Sequence, residues 1–332
     1  MNTEDRKSQI ANRKYASLPL VIVNPASAGG ATGEKWPGTA SALRTHFGAF
    51  SCAFTEKSGD GQVIAARGAR AGRRFIIACG GDGTISEVAN GILESGEDVE
   101  LGVLPSGTGG DFRRTLRIPA RAGDAALALR MGVTRTIDVG RVTYINNEGI
   151  TATRFFLNVA SFGMGGVVIE RVKEKSVPWL PANAAKFVGG SGAFAAAALH
   201  TALTFTKPTV TLRLDDKPEF HLQVANLCVA NAQYFGGGMH IAPQAKVNDG
   251  QLDIVAVGNL SALSIFANSY RLYLGTHLGM QQVHHARGTR LSARPERGDP
   301  PAARLEVDGE LVGRLPASFE VVPAALRVRV PA

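Results

Sequence analysis

The sequence predicts an α/β N-terminal domain built on a parallel sheet, followed by a mainly antiparallel β domain. Three observations carry that prediction. From Leu18 to Met131, short apolar runs of strand length alternate with helix-like runs, the pattern of a parallel sheet with crossover helices. After Thr134–Gly140 helices become sparse and alternating strands dominate. Within the first stretch, Phe75-Ile-Ile-Ala-Cys-Gly-Gly-Asp-Gly-Thr-Ile-Ser-Glu87 reads as a buried strand that turns on glycines straight into a helix. The 332 residues suit two domains. We place a disordered lead-in at 1–17, the first domain at 18–137 and the second at 138–332, whose last strands can return to the first.

Composition narrows the class. Apolar content of 45% and charged content of 19% fit globular cores. A formal net charge of +8 fits an anionic partner: nucleotide, anionic membrane or nucleic acid. Cys52, Cys79 and Cys228 are odd in number and widely spaced, with no CxxC. That favours a reduced, cytoplasmic chain with cysteines as buried packing residues. Met1 to Lys14 is polar and lacks an apolar h-region, so no secretory signal is expected.

The elements follow in order. Leu18–Val23 is a strand ended by the turn signals of Asn24-Pro25-Ala26-Ser27-Ala28-Gly29-Gly30. Ser41–Phe47 reads as a helix, Phe50–Thr55 as a strand, and Gln62–Ala71 as a helix entered through Thr55-x-x-x-Gly59-Asp60. Phe75–Ala78 is the third strand and Ile85–Leu93 its helix. Val99–Leu104 is the fourth strand, feeding the loop Pro105–Arg114, where Arg113 and Arg114 lie close to Arg117. Arg121–Met131 is an Ala/Leu-rich helix ending at Gly132.

In the second half, Arg141–Ile145 and Thr153–Val159 form a hairpin around Asn146-Asn147-Glu148-Gly149. Phe187–Thr206 approaches the ~20 residues that span a bilayer, yet its early glycines and serines and its many alanines favour a buried or lipid-facing helix. Strands are expected at 209–214 and 221–230, a helix at Leu263–His277, and strands at 319–322 and 326–330. Arg287, Arg290, Arg294 and Arg297 form a basic cluster that suits an anionic membrane or a solvated edge strand. Asp308-Gly309-Glu310 reads as a hairpin turn.

The glycine turn at 80–84 has its own chemistry. A helix N-terminus leaves free backbone N–H groups where the dipole favours an anion. Glycines let a phosphate approach without a Cβ clash. Asp82 in such a cradle calls for a divalent cation between the two negative groups. A metal–nucleotide site is the functional reading; a ligand-free strand–helix turn is the bland one.

The motifs GGDGT at 80–84 and Gly107-Thr108-Gly109-Gly110-Asp111-Phe112-Arg113-Arg114 resemble the diacylglycerol kinase catalytic domain of bacterial lipid kinases, sphingosine kinases and ceramide kinases. GGDGT is also similar to NAD kinases and phosphofructokinases. Gly110 stands where the lipid kinases have Asn. Asn24, Pro25 and Ser27 match their N-P-x-S-G loop, with Ala28 in place of the last Gly. Asn158, Ser161 and Gly163 match a further segment. Asn231-x-x-Tyr234-x-Gly-Gly-Gly238, Pro243, Ala245, Asp249-Gly250 and Leu252-Asp253 match a longer one that NAD kinases lack in this form.

The resemblance implies an α/β nucleotide-binding domain similar to NAD kinase and phosphofructokinase, then a β-sandwich domain. It implies ATP bound through Asn24, Pro25, Ala26, Ser27, Ala28, Thr55, Gly80, Gly81, Asp82, Gly83, Thr84, Ile85, Ser86, Glu87, Gly107, Thr108 and Asp111. It implies Asp308 as general base toward a lipid hydroxyl, supported by Glu310. It implies Mg²⁺ at Asp249 and the carbonyls of Lys246 and Gln251. Lipid substrate, peripheral contact with an anionic membrane, a homodimer as an option and no nucleic acid complete the expected partners. Two alternatives stand beside this reading: an NAD kinase, and a non-catalytic lipid- or nucleotide-binding protein.

Overall fold

The computed structural model describes residues 18–107, 109–174, 200–201, 203–296 and 303–332. The lead-in, Thr108, Arg297 and most of the helix expected at 187–206 lie outside the described residues. Two compact units emerge, Gly140–Val322 and the rest of the chain. β5 (Val133–Asn146) and β15 (Glu310–Val330) each contribute residues to both.

The N-terminal unit is α/β. Its sheet runs in the order β15-β4-β3-β1-β2, all neighbours parallel, with β1 Leu20–Val23, β2 Ser51–Phe54, β3 Phe75–Gly80 and β4 Glu100–Pro105. Burial follows position. Ile76–Gly80 in β3 are buried in an unbroken run, because a central parallel strand is covered on both faces. The edge strand β2 is only partly covered, which leaves Cys52 exposed and corrects its assignment as a buried packing residue. Cys79 and Cys228 are buried, and burial pushes the Cys79 thiol up to about 12.

The helices are α1 Ala31–Phe47, α2 Asp60–Arg70, α3 Asp82–Ser95, α4 Asp111–Thr115 and α5 Ala122–Met131. α1 begins ten residues ahead of the expected Ser41, with Pro37 inside it.

The Gly140–Val322 unit is antiparallel and β-sandwich-like. After β6 (Thr151–Phe156) and β7 (Val159–Gly163) comes α6 (Met164–Glu174). β8 is Thr209–Leu214. The expected strand at 221–230 is two, β9 Phe220–Gln223 and β10 Asn226–Ala230. β11 is Leu252–Val257. The expected helix at 263–277 is broken into α7 Ala262–Asn268 and α8 Tyr270–Leu274. β12 Val283–Gly288, β13 Arg290–Pro295 and β14 Arg304–Val307 precede β15.

Neighbours run β12-β11-β10-β7-β14-β15, with β13 joining β15 to β8 and β9. The core packs Phe156, Phe162, Leu212, Leu227, Leu305 and Phe319. The rings of Phe162 and Phe319 stack at 6.3 Å. Among the described residues no helix is long and apolar enough to cross a membrane.

Candidate active site

The parallel sheet places the carboxyl ends of β1, β2, β3 and β4 on one edge, so Asn24, Thr55, Gly81 and Ser106 all leave the sheet there. Strand order reverses between β1 and β3, and ligands of open α/β sheets bind outside such a switch point. The chain ties the loops at this point together. Asn24 Nδ2 donates to Thr84 Oγ1 at 3.0 Å. Asn24 Oδ1 accepts the Ala26 N–H at 3.1 Å, a local turn that shapes the loop.

Ser27 Oγ and Thr32 Oγ1 lie 2.5 Å apart, and Thr32 Oγ1 reaches Ser106 Oγ at 2.7 Å. The Ser106 N–H donates to the Gly80 carbonyl at 2.9 Å. Gly107 passes so close to Gly81 that a Cβ on it would meet Gly81 Cα at 2.8 Å. Only glycine fits that approach.

α3 starts at Asp82 with Gly81 as its N-cap and no side-chain capping hydrogen bond. Its first amides therefore have no side-chain acceptor of the usual kind. The Asp82 carboxylate turns elsewhere: Oδ2 accepts the Asp111 N–H and Oδ1 the Phe112 N–H, each at 3.1 Å. It caps α4 and fastens the 105–111 loop to the start of α3. Asp111 is buried, with Oδ1 3.2 Å from Arg114 Nη1. Glu87 holds the loop after β2: Oε1 accepts the Gly59 N–H at 2.8 Å and Oε2 the Gly61 N–H at 3.0 Å. Thr84, Ile85 and Ser86 are buried in the same turn, and Thr55 is buried at the end of β2.

Two departures from the lipid-kinase pattern acquire a geometry. Ala28 has φ +55°, so the residue in place of the family's Gly is held in the left-handed region rather than at negative φ. Gly110 has φ +66°, a conformation that Gly and Asn both tolerate, so the backbone of the motif survives without the Asn side chain.

In the Gly140–Val322 unit, Asp308 and Gly309 form the two-residue turn between β14 and β15, with Val307 paired to Glu310. Their φ values of +48° and +88° are those a type I′ hairpin requires. Asp308 is 9% exposed. Its Oδ2 accepts the Leu157 N–H at 2.9 Å; its Oδ1 accepts the N–H groups of Asn158 and Val159 at 2.9 and 3.3 Å. Beside it the buried side-chain carbonyl of Asn158 has no hydrogen-bond partner among the described residues. Glu310 pairs with Arg154 at 2.8 Å. Ser161 Oγ donates to Glu306 Oε2 at 2.8 Å.

In the turn before β11, Asp249 Oδ1 accepts the Gln251 N–H at 3.2 Å and Oδ2 pairs with the Arg287 guanidinium. An apolar pocket of about 320 Å³ opens in the same unit, lined by Leu212, Phe220, Leu222, Leu227, Ile254 and Leu291 among others. Sequence reasoning missed Thr32, Ser106 and Arg154, and it set Arg287 in a basic cluster where the structure pairs it with Asp249 and Asp253. Their partners lie far along the chain, and no local spacing signals them.

Residues 19–142 match the model of the diacylglycerol kinase catalytic domain. Residues 178–330 match that of the YegS C-terminal NAD kinase beta sandwich-like domain. A Pseudomonas aeruginosa protein named "Probable lipid kinase YegS-like" is 31% identical over 289 residues, which cover 84% of this chain and 83% of that one. A diacylglycerol kinase of Mycobacterium tuberculosis is 29% identical over 276 residues, 82% of each chain. The crystal structure of a diacylglycerol kinase from Bacillus anthracis shares the fold, with a TM-score of 0.68 at 20% identity over 95% of this chain and 97% of that one. The paired domain models and the P. aeruginosa relative agree, and the chain belongs to the diacylglycerol kinase family of lipid kinases, phosphotransferases whose acceptor is an alcohol group.

Proposed function

We propose that the protein transfers the γ-phosphoryl group of Mg-ATP to the hydroxyl of a diacylglycerol-like or sphingoid-like lipid. Residues 18–137 form the ATP-binding domain in this reading, and residues 138–332 the lipid-substrate domain, apart from the final strand segment. The observation that carries it is the start of α3. Its first amides lack a side-chain cap among the described residues, and they stand at the β1/β3 switch point beside Gly107, which passes too close to Gly81 for a Cβ of its own. That is an anion cradle in chemistry and in shape. ATP bound there supplies the transferable phosphoryl group, with Mg²⁺ neutralising its charge.

The chain's own residues orient and hold. The Gly80–Thr84 backbone donates to phosphate oxygens. Asn24 and Thr84 fix the first loop against the second, and Ser27 with Thr32 fixes it against Ser106 and so positions Gly107. Asp82 is a positioning residue that draws the Asp111 loop onto the cradle. Thr55, kept at its strand end, and Glu87, which fastens the Gly59–Gly61 loop, shape the rim. Asp308 accepts the proton of the lipid hydroxyl. A non-glycine residue held at positive φ beside an orphaned buried Asn158 carbonyl supports a site there. Glu310, neutralised by Arg154, flanks it.

The lipid side of the reading rests on the apolar pocket, whose leucine, isoleucine and phenylalanine lining suits an acyl chain. Peripheral contact with an anionic membrane fits Tyr270, Tyr273 and Leu274, exposed at helical spacing on α8 next to Arg271. The test offers diacylglycerol and NAD side by side with labelled ATP. Label on diacylglycerol is the expected result. Label on NAD alone would replace this reading with an NAD kinase.

A further inference from the structure

The turn at 246–253 was expected to hold Mg²⁺ through Asp249 and the carbonyls of Lys246 and Gln251, and its side chains do not fit that ion. Mg²⁺ takes oxygen ligands at about 2.0–2.1 Å in near-octahedral order. The Asp249 carboxylate instead spends Oδ1 on the Gln251 N–H at 3.2 Å and Oδ2 on the Arg287 guanidinium.

Arg287 is placed there by the sheet. On β12 it lies directly opposite Asp253 of β11. Its Nη2 meets Asp249 while its Nε stands 3.5 Å from Asp253 Oδ2. The Asp253 carboxylate is 1% exposed. Its Oδ1 pairs with His285 Nε2 at 2.7 Å, and its Oδ2 has no hydrogen-bond partner among the described residues, so Arg287 is the charge that faces it. One guanidinium thus spans two carboxylates, one in the turn and one on the strand it leads into. A planar fork with several donors suits that task; a point charge does not. A divalent cation at Asp249 would have to displace a side chain that is two-thirds buried and tethered to the neighbouring strand.

We propose that the Arg287 guanidinium is the resident cation of this turn, and that it holds Asp249 and Asp253 together without a divalent metal. The stability of the β-rich unit then carries no Mg²⁺ linkage through the turn, because nothing binds there that the folded state could gain from. Any Mg²⁺ requirement of the enzyme belongs to its nucleotide. The inference concerns the turn alone and stands whether or not Asp308 is the base.

Thermal melting of the full chain without nucleotide, in chelator and in millimolar MgCl₂, tests it. Wild type is expected to melt at the same temperature in both. Arg287→Gln is expected to melt several degrees lower in chelator, since two carboxylates, one fully buried, lose their counter-charge. A wild-type melting point that rises with MgCl₂, and a rise that Asp249→Asn abolishes, would overturn the proposal. So would an Arg287→Gln protein as stable as wild type. The wild-type and Asp249→Asn comparison decides the matter even if Arg287→Gln does not fold.

Discussion

Asp308→Asn separates the two tasks assigned to that residue, anchor and proton acceptor. The carboxylate takes the Leu157 N–H on Oδ2 at 2.9 Å, and the Asn158 and Val159 N–H groups on Oδ1 at 2.9 and 3.3 Å. Asn has one carbonyl oxygen and can serve only one side. With that oxygen on Asn158 and Val159, its NH₂ faces the Leu157 N–H, and a buried donor loses its acceptor.

A hydrogen bond to a charged group is worth about 1.5–3 kcal/mol, and a buried unsatisfied donor costs about 1–3. These are two views of one loss, to which the weakening of the remaining bonds adds, so about 2–4 kcal/mol is expected. The backbone contributes little, because Asn tolerates the φ of +48° as well as Asp does. At about 2–4 °C per kcal/mol for a unit of this size, melting should fall by roughly 5–15 °C.

Calorimetry reads that fall, and turnover is then measured at a temperature where both proteins are folded. The proton-acceptor role adds a loss of kcat of about 10²–10⁴-fold with ATP affinity kept. An unchanged melting point would refute the anchoring argument. A stability loss with near wild-type turnover in the folded protein would confine Asp308 to its hairpin and move the base elsewhere.

Other expectations follow from the same geometry. Gly83→Val, in the first turn of α3, should abolish ATP binding by calorimetry while the protein stays folded, because its side chain enters the phosphate site; unchanged affinity would remove the cradle. Ala28→Gly should raise the urea midpoint by a gain of up to about 1 kcal/mol, since a left-handed non-glycine residue costs about 1–2 kcal/mol and glycine's extra freedom in the unfolded chain returns part of it; a clear loss would contradict the strained loop.

Acid stability should depend on Glu100. Burial alone would raise its carboxyl, but the bonds from Arg329 and Thr134 outweigh burial and hold it below its ordinary 4.5. A carboxyl depressed on folding stabilises above its ordinary value, and that contribution is lost as pH falls from about 4.5 through the folded value. Arg329→Met should flatten this part of the pH–stability curve, and an unchanged slope would count against the pair.

What the sequence made legible was local. The strand–glycine–helix turn at 75–93 and the Asp308-Gly309 hairpin are written in adjacent residues, and periodicity exposed the alternation of strands and helices before residue 131. The first turns of α1 were hidden because Gly33, Pro37 and Gly38 read as breakers, yet Pro37 lies within the helix. Pro323 likewise stood between the strands expected at 319–322 and 326–330, which are parts of β15, one strand of 21 residues.

The site's fastenings were illegible for another reason. Asp82 to the Asp111 and Phe112 amides, Glu87 to Gly59 and Gly61, and Arg287 to Asp249 are all tertiary, spanning 26 to 38 residues of chain. A carboxylate in a motif announces charge, and only the fold says which amides or cations it meets. Asp82 was expected to meet a nucleotide through a divalent cation and Glu87 to help bind it, whereas the structure gives their oxygens to backbone amides of the loops around the cradle.

The central claim, phosphoryl transfer from ATP to a lipid hydroxyl, meets its most direct test in one assay. The protein is incubated with γ-labelled ATP, Mg²⁺ and total lipid extract, and the labelled product is identified by mass. The account predicts label in the organic phase on a lipid heavier than its parent by one phosphate, and no such product from the Gly83→Val protein. Bound ATP with no labelled lipid across the extract would contradict it.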